Sequence, residues 1–284
     1  MNVITHRGLD PSIQGFPMES SIEAFRNQLE RGYGLEFDVR RTQDDRLVVI
    51  HDGNLKRASG GADTRDISAI PLAEILEMDF NGSHLASFAQ VLQAIAERQR
   101  EGSVSAIHLK SGSQDTPTLD LILADLKRSS LGAEKFVIFD VKIETAKYLK
   151  QRMPELHLVP SVAHSYDIER YNGVVGGTLL SVEEALTHRD LFYGVWLDEW
   201  DLADKDGGRK KFYTPEVFKV FQSAGLWVAL VTPELHGTSP GLLGGEAHED
   251  AHDHSVLMNR IKEILALSPD AVCTDFPDEV VALD

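Results

Sequence analysis

Short apolar segments rich in Val, Ile and Phe recur along the chain, and amphipathic segments with helical spacing lie between most of them. The apolar segments predict eight strands, at Val3–His6, Leu35–Arg40, Ser105–Lys110, Phe136–Val141, Leu156–Val162, Gly194–Asp198, Trp227–Val231 and Ala271–Asp275. The amphipathic segments predict helices at Ser21–Arg31, Phe88–Arg100, Thr118–Ser129, Ile143–Arg152, Ser181–His188, Pro215–Ala224 and Val256–Leu267. This alternation is typical of a parallel sheet covered by helices.

Eight strands separated by helices favour a closed (β/α)8 barrel, the TIM barrel of the α/β class, over a two-domain sheet. The 284 residues contain no repeat with a period of about 20 to 50 residues and no linker-like boundary. We therefore predict that residues 1–284 form a single barrel domain.

One further apolar segment breaks the alternation. Arg46–His51 follows Leu35–Arg40 after a short polar turn, which is the pattern of a β-hairpin. We expect the second barrel strand to extend into a two-stranded arm. The next segment, from about residue 53 to residue 85, is predicted to be an irregular insertion, with a loop at Ser59–Gly61 and a short helix at Leu72–Met78.

The charge balance narrows the classes of partner. A formal net charge of -17 argues against nonspecific binding to nucleic acid or anionic lipid, because a phosphate backbone must be met by clustered Lys and Arg. We expect a small-molecule substrate, and a phosphorylated one would need a local cation to offset this negative charge. The sequence does not indicate an oligomeric state.

The N-terminal residues lack a basic segment followed by an apolar stretch, and no apolar run approaches membrane-spanning length. We therefore expect a cytoplasmic protein without stable membrane association, with a signal peptide removed from the given sequence as the open alternative. The single cysteine, Cys273, allows no intrachain disulfide.

Active groups of such barrels lie at the carboxyl ends of the strands. Strand side chains alternate between faces, so Glu36 and Asp38 point the same way. His108 and Lys110 share a face in the same manner. Two carboxylates facing a barrel interior would repel one another unless a cation lies between them, which indicates a metal site. A solvated edge strand with exposed acids is the alternative.

Two histidines and two cations complete the candidate chemistry. Cleavage of a phosphodiester needs a base for the attacking oxygen and an acid for the leaving alkoxide, and His6 and His51 could supply both. Arg7 and Lys110 could neutralise the phosphate oxygens. Structural roles are the alternative for each histidine, and surface or structural ion pairs for each cation.

These residues belong to an ordered series of motifs in the first fifty or so residues, which are His6-Arg7-Gly8, Glu19, Ser20-Ser21-Ile22-Glu23-Ala24-Phe25, Glu36-Phe37-Asp38-Val39, Thr42-Gln43-Asp44 and Leu47-Val48-Val49-Ile50-His51-Asp52. The series resembles the glycerophosphodiester phosphodiesterase family. The run Cys273–Asp278 also resembles the last barrel strand of that family. Between these ends the resemblance is mostly architectural.

The resemblance implies a barrel with a small insertion, general acid-base catalysis by His6 and His51, and one divalent metal ion, Mg2+ or Ca2+, held by Glu36 and Asp38. It places Arg7 at the phosphate. In the family the first histidine is the favoured base, which makes His51 the acid, although geometry alone would allow the reverse.

Two positions depart from the family pattern. The third strand of the family carries Glu-x-Lys, with the glutamate as a further metal ligand, whereas this chain has His108-Leu109-Lys110. If His108 is a ligand, the preference moves toward Mn2+, Co2+ or Zn2+. If His108 is not a ligand, Asp198 or Glu234 could complete the set of metal ligands. The segment Pro17-Met18-Glu19-Ser20 also replaces the usual Pro-Glu-Asn-Thr.

The segment 236–254 follows the seventh predicted strand and is rich in Gly, His and acidic residues. Its residues His248, His252 and His254 could bind a metal, and a flexible polar lid is the favoured alternative. Lids of this kind can shape a leaving-group pocket.

The predicted function is metal-dependent hydrolysis of a glycerophosphodiester-like phosphodiester to an alcohol and a phosphomonoester. Attack by a neighbouring substrate hydroxyl would instead make the protein a phospholipase-like lyase that forms a cyclic phosphate. A catalytically weakened phosphodiester-binding protein is the third possibility, suggested by His108 and the altered surroundings of Glu19.

Overall fold

The computed structural model describes residues 1–129, 131–235 and 248–283. The chain forms two compact units, an N-terminal unit of Ile4–Val137 and a C-terminal unit of Met1–Val3 with Ile138–Asp284. The single domain and the cytoplasmic location stay predictions. Within the described residues, no helix is both long enough and apolar enough to span a bilayer.

The strands assigned to the N-terminal unit are β1 (Asn2–His6), whose first two residues belong to the C-terminal unit, β2 (Gly34–Arg41), β3 (Leu47–Val49), β4 (Ala86–Ser87) and β5 (Ser105–His108). Strand β2 pairs in parallel with both β1 and β5. It also runs antiparallel to β3, which in turn pairs with β4. The predicted hairpin arm on the second barrel strand is therefore confirmed, and β4 extends it by a short third strand.

The helices of this unit are α1 (Ile22–Glu30), α2 (Leu72–Leu76), α3 (Phe88–Arg98) and α4 (Thr116–Ser129). Helix α1 begins after Ser21, whose hydroxyl accepts a hydrogen bond from Ala24 N at 3.1 Å. Helix α3 begins at a capping box in which Ser87 and Gln90 bond reciprocally. These caps satisfy amide groups that a helix start leaves without a partner, so each helix begins at a fixed residue.

The predicted insertion has its own apolar cluster. Leu55, Ile67, Ile70 and Ile75 are almost completely buried in it, and Val48 of β3 packs into the same cluster. The insertion is therefore an irregular segment with a core, and not a loose loop. Its short helix, predicted at Leu72–Met78, spans Leu72–Leu76.

The strands of the C-terminal unit are β6 (Phe136–Phe139), β7 (Leu158–Val159), β8 (Ser161–Ala163), β9 (Leu179–Leu180), β10 (Gly194–Asp198), β11 (Trp227–Val231) and β12 (Ala271–Thr274). All described pairings in this unit are parallel, in the order β12, β11, β10, β8, β9, with β6 beside β7. The helices are α5 (Ile143–Arg152), α6 (Ser165–Val175), α7 (Val182–Thr187), α8 (Pro215–Ser223), α9 (His254–Leu265) and α10 (Pro277–Leu283).

One predicted strand is wrong in its continuity. Leu156–Val162 was expected as a single strand, but Pro160 separates β7 from β8. Proline has no N–H to donate to the ladder, and here its carbonyl oxygen accepts a hydrogen bond from Trp196 N at 2.9 Å. In both units parallel strands alternate with helices, as the predicted fold class requires.

Candidate functional site

Strand register brings the predicted site residues of the N-terminal unit together. His6 lies opposite Glu36 in the β1–β2 pair, and Asp38 lies opposite His108 in the β2–β5 pair. Because the three strands are parallel, their carboxyl ends meet at one edge of the sheet. The side chains of Glu36 and Asp38 are almost fully buried there, at 4% and 1% exposure, whereas that of His108 is 22% exposed.

A tight turn after β1 sets the position of Arg7. Arg7 and Gly8 both have left-handed backbone conformations, with φ of 53° and 70°. A Cβ on Gly8 would lie 2.9 Å from Cδ1 of Phe25, so glycine is required by both conformation and space. The Arg7 amide then donates to Glu36 Oε2 at 3.2 Å. The turn thereby fixes the first histidine motif against the carboxylate of the next strand.

Glu36, Asp38 and His108 form a cluster of the size of a metal site, with one ligand atom of each within 4.8 Å of the others. His108 Nδ1 lies 2.9 Å from Asp38 Oδ1 and 3.5 Å from Glu36 Oε1. Both oxygens of Asp38 are buried, and neither accepts a hydrogen bond of acceptable geometry from the described residues. A divalent cation would satisfy such buried carboxylate oxygens, so the donor set fits a metal ion.

Two cations flank the same carboxylate. Lys110 Nζ lies 3.3 Å from Asp38 Oδ1, and Arg7 Nε lies 3.9 Å from Asp38 Oδ2. Burial alone would raise the pKa of Asp38, but the Lys110 charge and the contact with His108 hold that pKa well below its ordinary value. Asp38 therefore stays ionised at neutral pH and is available as a hard oxygen ligand.

His51 follows β3 and is held from both sides. Its carbonyl oxygen accepts two hydrogen bonds from Arg40, at 3.2 and 2.6 Å, and its Nδ1 lies 2.7 Å from Asp52 Oδ1. Burial lowers the pKa of His51 to about 4, although the hydrogen bond to Asp52 acts in the opposite direction. The imidazole is therefore neutral at neutral pH.

Two further residues, Glu19 and Arg57, join this site. Arg57 Nε donates to Asp52 Oδ2 at 2.6 Å, and its Nη2 donates to Glu19 Oε1. Glu19 also lies 3.5 Å from Arg7 Nη1. Glu19 was part of the motif series, but Arg57 was not singled out, because its contacts depend on the path of the irregular insertion.

A cavity of about 460 Å3 lies beside these residues in the N-terminal unit. Glu19, Asp52 and Arg57 form part of its wall, and Phe16 and Phe80 contribute apolar surface. The cavity therefore adjoins Asp52, the carboxylate that contacts His51, together with Arg57 and Glu19.

Other predicted rim residues belong to the C-terminal unit and have structural partners there. Glu234 Oε1 accepts hydrogen bonds from the hydroxyls of Thr232 and Thr274, at 2.6 and 2.7 Å. Burial raises the pKa of Glu234, as does the nearby charge of Asp275. Among the described residues, the cluster of metal-site size contains neither Asp198 nor Glu234. A role for either as a further ligand stays a prediction.

The histidine-rich segment is described only from residue 248 onward, and its residues 236–247 lie outside the described part of the chain. His248 is buried, with Nε2 3.6 Å from Glu199 Oε1, whereas His254 Nε2 lies 2.7 Å from Glu279 Oε2. His252 is exposed. Within the described ranges these histidines do not form a cluster of metal-site size, so they do not support the alternative metal site, and the lid stays a prediction.

Comparison with known proteins begins with sequence. The Glycerophosphoryl diester phosphodiesterase family matches residues 6–279 of this chain. A glycerophosphodiester phosphodiesterase of Caldanaerobacter subterraneus subsp. tengcongensis is 27% identical over 165 residues, covering 55% of this chain and 64% of that protein. The matched part therefore spans just under two thirds of the length of that relative.

Solved structures extend the likeness over the whole chain. An Oleispira antarctica phosphodiesterase in complex with the product sn-glycerol-3-phosphate gives a TM-score of 0.67 at 18% identity, covering 100% of this chain and 96% of its own. A glycerophosphodiester phosphodiesterase from Thermotoga maritima gives 0.62 at 19% identity, covering 99% and 97%. At these identities the likeness shows the fold, and it confirms the predicted (β/α)8-barrel class. Because the family match takes in the strands and turns that build the site, this chain belongs to the Glycerophosphoryl diester phosphodiesterase family.

Proposed function

We propose that this protein is a phosphoric diester hydrolase that cleaves glycerophosphodiesters into an alcohol and a phosphomonoester of the glycerol phosphate type. One observation carries the proposal: Glu36, Asp38 and His108 form a cluster of metal-site size that Arg7 and Lys110 flank. Family membership and the product bound to the Oleispira protein support the substrate class.

The charges of the site match a phosphodiester monoanion. Its four carboxylates are Glu19, Glu36, Asp38 and Asp52, and its four permanent cations are Arg7, Lys110, Arg57 and Arg40. This set carries no net charge and by itself gives a phosphodiester little attraction. One divalent cation changes the balance to two net positive charges, which attract a phosphodiester.

We propose that Glu36, Asp38 and His108 hold this one divalent ion. Two carboxylates and an imidazole suit Mn2+, Co2+ or Zn2+, whereas Mg2+ or Ca2+ would be favoured if His108 stays outside the ligand set. When bound, the ion polarises a phosphoryl oxygen as a Lewis acid. Arg7 and Lys110 lie beside the same carboxylate, in position to bind the other phosphate oxygens.

We propose that His51 acts as the base and His6 as the acid, the reverse of the assignment that the family resemblance favoured. Burial would raise the pKa of Asp52, but hydrogen bonds from His51 and Arg57 lower it, so Asp52 is ionised and can only accept. Nδ1 of His51 must then carry the proton, which leaves Nε2 free to take one from water. The water oxygen bonds to phosphorus, the bond to the alcohol oxygen breaks, and His6 donates a proton to that oxygen.

Turnover across metals tests the function. Metal-stripped protein would be assayed on glycerophosphocholine with Mg2+, Ca2+, Mn2+, Co2+ or Zn2+, with 31P NMR to identify the product. We expect glycerol phosphate and choline. A cyclic phosphate would instead indicate the lyase, and tight ligand binding without turnover under any metal would indicate a binding protein.

Substrates with different leaving groups test the two histidine roles. An acid is needed for a poor leaving group such as choline, but much less for p-nitrophenol, which leaves readily as an anion. His6→Ala should therefore lose roughly 100-fold or more on glycerophosphocholine and far less on a p-nitrophenyl phosphodiester. His51→Ala should lose activity on both substrates.

Both variants should keep the wild-type circular dichroism spectrum. The opposite pattern of losses would restore His6 as the base, and a near-normal rate in either variant would remove that histidine from the mechanism.

A further inference from the structure

A continuous chain of polar contacts links the phosphate-binding cation to the base. His51 bonds to Asp52, Asp52 to Arg57, Arg57 to Glu19, and Glu19 to Arg7. The two ends of this chain are residues that the proposed function uses directly. Of the three residues in the middle, Asp52 fixes the tautomer of His51, whereas Arg57 and Glu19 have no role in the proposed function beyond their charge.

Glu19 is the branch point of the chain. One of its two carboxylate oxygens, Oε1, contacts both Arg7 Nη1, at 3.5 Å, and Arg57 Nη2, at 2.5 Å. The Glu19 side chain is only 14% exposed. Burial would raise its pKa, but the hydrogen bond from Arg57 and the charge of Arg7 lower that pKa, so the carboxylate is ionised. One ionised oxygen therefore sets the position of two guanidinium groups.

The backbone around Glu19 is held as firmly as its side chain. Ser20 has a left-handed conformation with φ of 59°, and its amide donates to the carbonyl oxygen of Arg7 at 2.8 Å. On the other side, Leu55 anchors the segment that carries Arg57 in the apolar cluster of the insertion. The contact between Glu19 and Arg57 thus joins two independently fixed segments, 38 residues apart in sequence.

Arg57 is suited to this link by its shape. Its Nε contacts Asp52 and its Nη2 contacts Glu19, so one planar group bridges two carboxylates. A lysine in its place would keep the charge but present one nitrogen instead of a fork. The Arg57 side chain is 41% exposed, and an isolated surface pair there would contribute little. Arg57 matters because it holds the carboxylates of Asp52 and Glu19 in place.

We propose that Glu19 is a positioning residue that couples Arg7 to His51, directly on one side and through Arg57 and Asp52 on the other. The inference deepens the proposed function and rests on it. Glu19 orients the guanidinium that meets the phosphate, and it holds the group that fixes Asp52 against His51. Binding and proton transfer are thereby set by the same carboxylate.

A double-mutant cycle tests the coupling. Glu19→Gln and Arg57→Lys would be made singly and together, both conservative enough to fold, and assayed on glycerophosphocholine at saturating metal. Each single change should lower kcat by roughly 100-fold, the cost of misplacing a catalytic group by about 1 Å. The kcat of the double variant should be little lower than that of the worse single variant, because both changes interrupt the same series of polar contacts.

The Michaelis constant distinguishes the contact of Glu19 with Arg7 from the contacts that lead through Arg57 and Asp52 to His51. Glu19→Gln should also raise KM, since Glu19 contacts Arg7, whereas Arg57→Lys should leave KM close to wild type. A purely structural role would lower the unfolding temperature without this division between kcat and KM.

Matched controls come from the same segments. Glu30→Gln removes another carboxylate of α1, which bonds to Arg98 of α3 outside the insertion. Arg65→Lys removes another guanidinium fork of the insertion, which bridges Asp63 and Glu74. Both controls should keep wild-type kcat and KM.

Wild-type kinetics in Glu19→Gln would overturn the inference, as would losses that multiply in the double variant. If His51→Ala keeps full activity, the proposed role of His51 fails and the coupling fails with it. If His51→Ala is inactive while Glu19→Gln is unimpaired, the coupling alone fails.

Discussion

At the scale of single residues, the site is organised around Asp38. His108, Lys110 and Arg7 all lie within 4 Å of its carboxylate, which is almost completely buried. A buried carboxylate surrounded by cationic groups stays charged, and its oxygens can accept a further cation because hydrogen bonds do not occupy them within the described residues. Each of these neighbours would therefore affect how strongly the site bound a metal ion.

Metal choice is expected to depend on His108. His108→Glu replaces an imidazole with a hard carboxylate and adds one negative charge, so the preferred ion should shift from Mn2+, Co2+ or Zn2+ toward Mg2+ or Ca2+. Isothermal titration and activity with each metal would measure the shift. His84→Gln serves as the control, because His84 pairs with Glu23 and not with the cluster. An unchanged order of metals would count against coordination by His108.

The sequence predicted the core of the site because period-two alternation decides which side chains share a face. Glu36 and Asp38 follow this rule on β2, and parallel register places His108 beside Asp38. The position of Arg57 could not be predicted in this way. It depends on the irregular backbone of the insertion, for which no periodic pattern specifies the direction of a side chain.

At the scale of elements, strands and helices with a clear apolar pattern were predicted well, and helices without one were not. The observed bounds of β10, β11 and α5 coincide with the predicted ones. Helix α6 was missed because Asp167 is its only buried residue, paired with Lys210 at 2.8 Å, so it shows no apolar stripe. Helix α10 was missed because its buried residues, Pro277 and Val280, are too few to show a helical period.

The insertion should be held by its apolar cluster. Leu55 is completely buried there, whereas Leu76 is only partly buried against the same cluster. Leu55→Ala should lower the free energy of unfolding by about 2 to 5 kcal/mol, since it leaves a cavity in a packed core. Leu76→Ala should cost clearly less. Urea unfolding would measure both, and equal costs would show that the cluster does not carry the stability of the insertion.

At the scale of the whole molecule, buried carboxylates are expected to make the stability of the protein fall in acid. Several carboxylates are ionised inside the fold by specific partners, and protonating them removes those contacts. Glu199 of the C-terminal unit is one such carboxylate. Its side chain is fully buried, and Oε1 accepts a hydrogen bond from Arg260 Nη2 at 2.9 Å. Burial would raise its pKa, but His248 and Arg260 lower that pKa to about 2.

The direction of the acid effect follows from this shift. A carboxylate whose pKa falls from 4.5 to about 2 on folding stabilises the protein fully above pH 4.5, and the contribution disappears as the pH falls toward 2. Its size is roughly 3 kcal/mol. Glu199→Gln should therefore lower the free energy of unfolding at pH 7 and flatten its decline between pH 4.5 and 2.

The control is Glu263→Gln, because Glu263 also contacts Arg260, at 3.2 Å, but its side chain is 62% exposed. An exposed pair contributes little, so this variant should follow the wild-type curve. Denaturant unfolding at a series of pH values would compare the three proteins. If the Glu199→Gln curve runs parallel to the wild-type curve below pH 4.5, the acid sensitivity arises from other carboxylates. Asp38 and Asp52 of the N-terminal unit are then the next candidates, because their pKa values are also lowered.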